Sequence, residues 1–219
     1  MRCERPGECV HRDTRLTATG ARSTIEHTIG YPTVALRLQG RPVLGAFGLN
    51  GHEHQRRAQL GIGAITSVAL LCALWMLPRG GITPPELLPE GKVRRLRAAP
   101  HSVQETDGGF ERLYDPPGVL GAVVFAGRSA ERAVYQAARF TPIVERYVLL
   151  EQFNGPLATS VQSVAREWGV GVLSVSPRYG TQVLVPAADA VTGVPSAYRW
   201  WIAELAYESY LYDSAHAAS

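Results

Sequence analysis

GAVVFAG (residues 121–127), RSAERAVYQAARF (128–140), RYVLLEQF (146–153) and EWGVGVLSVSP (167–177) follow one another in the second half of a 219-residue chain, and their order decides the fold. Val119–Phe125 is a short, almost wholly apolar run bounded by glycine, the pattern of a strand buried on both faces. Ser129 stands where an N-cap belongs, and Ala133, Ala137 and Phe140 recur behind it at helical spacing. Tyr147–Leu150 reads as a second buried strand and Val170–Val175 as a third. Strand, helix, strand, helix, strand with short connections predicts a parallel α/β unit with right-handed crossovers.

Outward from that unit, the composition is that of a folded protein: 46% hydrophobic and 19% charged residues exclude a disordered polyelectrolyte. Three cysteines, Cys3, Cys9 and Cys72, are too few and too scattered for a disulfide framework, so the expectation is a reducing, cytoplasmic setting. Met1–Gly30 is polar and arginine-rich and has no apolar core of a targeting peptide. The net charge of +3 conceals an asymmetry. Residues 1–100 hold 14 Lys/Arg against 7 Asp/Glu, and residues 101–219 hold 8 against 12. Any contact with a polyanion is therefore expected in the first half, the plain alternative being a solvated basic tail.

Residues 1–57 read as a flexible basic arm with a short hairpin, Thr33–Leu38 and Pro42–Phe47 around Gly40–Arg41. Cys3, Cys9 and His11 have no common zinc spacing and no evident fourth ligand, and His52–Glu53–His54 would share a face only in a strand. Ala58–Leu77 runs for twenty residues without a charge. It is long enough for a membrane span anchored by Arg56–Arg57, but polar and glycine residues dilute its first half, and a core helix is favoured. Pro78 stops that helix, and Thr83 is the expected N-cap of a short helix over Pro84–Leu88. Gly91–Ala99 is a third helical run with clustered basic residues. HSVQET and FERLYD then flank the turn signal Asp107–Gly108–Gly109.

Three helices followed by a hairpin is the order of a winged helix-turn-helix. The phrases LLCALWMLPRGGITPPELL (70–88), KVRRLRAA (92–99) and DGGFERLY (107–114) resemble that family. The resemblance implies a winged-helix-like domain over 58–117 whose third helix enters the major groove of double-stranded DNA. Lys92, Arg94, Arg95 and Arg97 would then meet phosphates or base edges, and Arg112 would lie on the wing. Pro84, Pro85 and Pro89 depart from the pattern by shortening the second helix.

Residues 118–219 are expected to form a three-layer α/β domain, in which the strand, the helix carrying Gln136–Ala137, RYV (146–148), a further helix and GVGVLSV (169–175) resemble the PD-(D/E)xK nuclease-like fold over roughly Gly118 to Pro186. That family ends a core strand in an acidic residue, a spacer and a lysine, followed by a helix that often carries glutamine. Anchored on Gln136–Ala137, the acidic position falls on Val124 and the lysine position on Ala126. Neither can bind Mg²⁺ or activate water, and Gly121–Gly127 contains no Asp, Glu or Lys. Asp115 and Gln136 remain as a vestigial site. The expectation is a regulatory DNA-binding protein without catalytic residues, metal or cofactor. One alternative is a divergent Mg²⁺-dependent nuclease using Asp115 and Glu151, and the other is a protein anchored through 58–77. Residues 195–213 (PSAYRWWIAELAYESYLYD) predict a helix capped by Ser196. Tyr198, Trp201, Ile202, Leu205 and Tyr212 fall near one face, with Trp200, Tyr207 and Tyr210 around the sides. That excess of aromatics suggests a homodimer, or packing on the chain's own core.

Overall fold

The computed structural model describes residues 25–38, 40–140, 143–151, 153, 155–176, 180–190 and 196–217. The Cys3, Cys9 and His11 trio, Pro177 and Pro195 lie outside the described residues. The protein is of the mixed α/β class, with a six-stranded and a three-stranded sheet. It divides into two compact units, Met1–Gly48 with Leu120–Val194, and Leu49–Val119 with Pro195–Ser219.

The first unit holds the six-stranded sheet, in the order β1-β2-β6-β7-β8-β9. Strands β1 (Thr33–Leu38) and β2 (Arg41–Leu49) form the expected antiparallel hairpin. Strands β6 (Gly118–Gly127), β7 (Glu145–Glu151) and β8 (Val170–Ser176) are parallel, as the apolar runs predict. β9 (Gly180–Val185) returns antiparallel to β8 with a register shift at Val172/Leu173. Helix α4 (Ala130–Ala138) links β6 to β7, and Ser129 caps it by accepting from the Arg132 amide. Helix α5 (Thr159–Glu167) links β7 to β8. One side of the sheet packs Ala35, Leu44, Val124, Leu149 and Leu173 with Ile25 into a single buried cluster. The hairpin is thus part of this sheet. An arm ending at residue 57 does not match the unit boundary, because β2 is needed to cover the edge that β6 would otherwise expose.

The second unit is built from α1 (Gly51–Gln59), α2 (Val68–Leu74), β3 (Ile82–Thr83), a 3₁₀ turn (Pro85–Leu87), α3 (Glu90–Arg97), β4 (Val103–Thr106), β5 (Gly109–Arg112) and α6 (Ala197–Ala217). Its small sheet runs β3-β5-β4, antiparallel throughout. Leu71, Leu74, Leu77, Leu96, Val103, Phe110, Tyr114 and Trp200 form its core. The uncharged stretch 58–77 is not one helix. α1 ends at Gln59, Gly61 takes φ +65°, and Ser67 starts α2 by accepting from the Leu70 amide. No helix among the described residues is long and apolar enough to cross a membrane.

Thr83 does not cap a helix either. It lies in β3 opposite Phe110, and the following 3₁₀ turn has no side-chain cap. Consecutive prolines at 84 and 85 hold the chain extended there, with Pro84 at ψ 139°. The DGG turn explains the third strand's place. Gly109 has φ +129°, and a Cβ on it would stand 2.2 Å from the Thr83 carbonyl oxygen. Gly109→Ala is therefore expected to pry β3 from β5 and lower stability by about 2–3 kcal/mol, read from the midpoint of chemical denaturation. A loss below about 0.5 kcal/mol would show that β3 tolerates displacement.

Candidate nucleic-acid interface

Helix α3 is amphipathic by construction. Leu96 is fully buried and Val93 packs against the same core, while Arg94 and Arg95 are exposed and Lys92 is half-buried. Arg94, Arg95 and Arg97 fall in the last turn, where the helix dipole favours cations. Among the described residues no carboxylate pairs with Lys92, Arg94 or Arg95.

Arg97 differs. Its Nη2 and Nε donate to Glu105 Oε1 at 2.8 and 3.0 Å, and its guanidinium lies 5.8 Å from the Phe110 ring centroid. The Glu105 bonds and charge raise the pKa of Arg97, so it remains a cation but an already partnered one. This fork joins α3 to β4 at the surface, while Leu96 and Val93 hold the helix on the core.

Arg112 is not on an exposed wing. It sits at the base of β5 opposite Val103, with only 10% of its side chain exposed and its guanidinium 5.4 Å from the Trp200 ring centroid. Burial lowers its pKa, partly countered by Asp115 at 3.8 Å. The hairpin strands are only four residues long, so position 112 falls at the buried end and not at the tip. The exposed tip carries Asp107 instead.

The nuclease-like positions are scattered. Val124 is buried in the sheet core, Ala126 is exposed opposite Leu149, and Gln136 is half-buried on α4. Asp115 belongs to the other unit, where its Oδ2 accepts from Arg79 at 2.6 Å. Glu151 is exposed at the end of β7. Asp115 thus shares a unit with neither Gln136 nor Glu151. Among the described residues no group of three His, Cys, Asp or Glu could hold a metal ion.

A buried ionic cluster escaped the sequence reading. Arg57 and Glu204 are both 0% exposed, and Arg57 Nη1 and Nη2 donate to Glu204 at 2.7 and 2.8 Å. Arg57 Nε donates to Glu53 at 2.7 Å, and Nη2 also donates to the Asp115 carbonyl at 3.1 Å. Glu204 further accepts from the Ile65 amide and from Trp200 Nε1. The Tyr114 and Tyr207 rings lie 4.8 and 5.2 Å from the Arg57 guanidinium. Burial opposes the charge on Arg57, yet the hydrogen bonds and charges of Glu204 and Glu53 outweigh it and raise its pKa. The His52–Glu53–His54 triplet therefore lies on a helix, with Glu53 taken by Arg57 and Arg56 and His54 3.0 Å from the Tyr207 hydroxyl. The signal in the sequence was Glu204 itself, a lone acid inside WWIAELAY.

No known protein-family model, curated protein or solved structure matches this chain.

Proposed function

We propose that the second unit binds double-stranded DNA through α3, and that the protein is a regulator whose nuclease-like first unit lacks catalytic residues. The observation that carries the reading is the pair Arg94 and Arg95, exposed on a short helix whose other face is buried in the core and whose end is joined to β4 by the Arg97–Glu105 fork. Unpaired arginines at a helix surface suit phosphate oxygens, to which they can bond bidentately. Three helical segments followed by a hairpin is the order that suggested a winged helix, and α2, the 3₁₀ turn, α3 and β4–β5 follow one another here with the short strand β3 inserted before the turn. Catalysis is not expected, since Val124 and Ala126 supply neither a metal ligand nor a base. Scarce cysteine favours a cytoplasmic site of action. A homodimer through α6 gains no support from Trp200 and Tyr207, which are buried.

The test is electrophoretic retardation of a duplex by the full chain and by the Arg94→Ala, Arg95→Ala double variant. Loss of two phosphate contacts should weaken binding by about tenfold or more near 0.1 M salt, roughly equally for different sequences. Arg112→Gln should leave DNA affinity unchanged, because that side chain is at the core boundary. Equal retardation by wild type and the double variant would remove α3 as the interface.

A further inference from the structure

In the first unit two large aromatic side chains stand in solvent beside each other. Tyr135 on α4 is 46% exposed and Trp168, which ends α5, is 42% exposed. Their ring centroids are 6.4 Å apart at an interplanar angle of 80°, so the edge of one ring meets the face of the other and the remaining ring faces are not covered by this contact. Trp168 is held firmly. Its carbonyl accepts from the buried guanidinium of Arg146, its amide donates to the Val164 carbonyl at 3.1 Å, and Gly169 at φ +63° turns the chain away directly after it. The backbone under the ring is thus held in place, and the edge contact with Tyr135 orients the ring itself, which lowers the ordering cost of binding. Arg132 and Arg139 are exposed and lie three residues before and four after Tyr135, on its side of the helix. On α4 Glu131 is the one acidic residue beside them, and exposed Arg166 and Glu167 next to Trp168 add one charge of each sign, so the cations remain in excess. Between α4 and α5 runs a shallow seam lined by Val134, Val161 and Val164.

We propose that this face binds single-stranded nucleic acid, with bases stacked on Tyr135 and Trp168 and phosphates met by Arg132 and Arg139. Flat aromatic faces flanked by guanidinium groups match the alternation of base and phosphate along a single strand. A duplex offers no such match, because its bases are stacked on one another. An acidic peptide would engage the arginines but leave the ring faces without a planar partner. The inference goes beyond duplex binding by α3 and does not rest on it, since every residue involved belongs to the other unit.

The experiment is fluorescence anisotropy of the full chain with a labelled oligothymidine of about 20 nucleotides and, separately, with a duplex of the same length. Oligothymidine should bind, more weakly as salt rises. Tyr135→Ser should weaken that binding about tenfold, and Trp168→Phe should retain it where Trp168→Leu loses it. Arg132→Gln with Arg139→Gln, both surface changes, should reduce the salt slope by about 1.4. Duplex binding should be unaffected by all of these and remain dependent on Arg94 and Arg95. Absence of oligothymidine binding, or binding indifferent to Tyr135→Ser and the arginine changes, overturns the inference. Single-strand binding lost instead with Arg94→Ala and Arg95→Ala overturns it as well. Loss of duplex binding alone would count against the α3 reading and leave this one standing.

Discussion

Glu204→Ala is expected to lower stability by about 3–5 kcal/mol, the cost of leaving a buried guanidinium without its main partner. Arg57 would keep Glu53 and the Asp115 carbonyl, but two of its donors would lose the carboxylate that faces them. The Ile65 amide and Trp200 Nε1 would lose their acceptor too. Arg57→Met combined with Glu204→Leu should recover part of the loss, because it removes two buried charges but leaves Glu53 with Arg56 alone and the Ile65 amide and Trp200 Nε1 without an acceptor. Arg79→Ala supplies the contrast. Its pair with Asp115 is short at 2.6 Å, but Arg79 is 77% exposed, so the expected change is under about 1 kcal/mol. Chemical denaturation of the four proteins measures all of this. A Glu204→Ala variant as stable as wild type would mean that Arg57 finds water.

Arg146→Met is the second large effect, expected at about 2–4 kcal/mol. Arg146 is 7% exposed in β7, and burial lowers its pKa. Its donors go to the carbonyls of Ala138 and Phe140 at the end of α4 and of Trp168 at the end of α5. One guanidinium thus satisfies the open C-terminal carbonyls of two helices, where the dipoles favour a cation. Methionine fills the volume but donates nothing. Besides the lower unfolding midpoint, Trp168 emission should shift as its carbonyl is released. Lysine at this position should recover only part of the loss, since a point charge cannot reach three carbonyls.

Both effects show where sequence reading ends. The parallel strands were legible because apolar runs bounded by glycine have few other uses, and Ser129, Ser196 and the DGG turn were legible because caps and turns depend on neighbouring residues alone. The hairpin was legible as a hairpin but not as part of the sheet, since pairing of β2 with β6 joins segments nearly seventy residues apart. On α6 the buried side carries Trp200, Ala203, Glu204 and Tyr207. Of the expected face Ile202 is fully buried, Trp200 and Tyr207 turn inward from its sides, and Arg57, 147 positions away, makes Glu204 an inward residue. Arg112 and Thr83 were misplaced for the same reason. Local signals placed one on a wing and the other at a cap, whereas contacts with Trp200 and Phe110 decided their positions. Arg94 and Arg95 remained where the helical period put them, because no carboxylate among the described residues competes for them.

The most direct test of DNA binding through α3 is the slope of log affinity against log salt for the full chain on duplex DNA, measured without metal and again with Mg²⁺. The expected result is a retarded, uncut duplex with a negative slope that becomes shallower by about 1.8 when Arg94 and Arg95 are both alanine. A duplex that is cut with Mg²⁺, or an affinity indifferent to salt and to those two arginines, would contradict it.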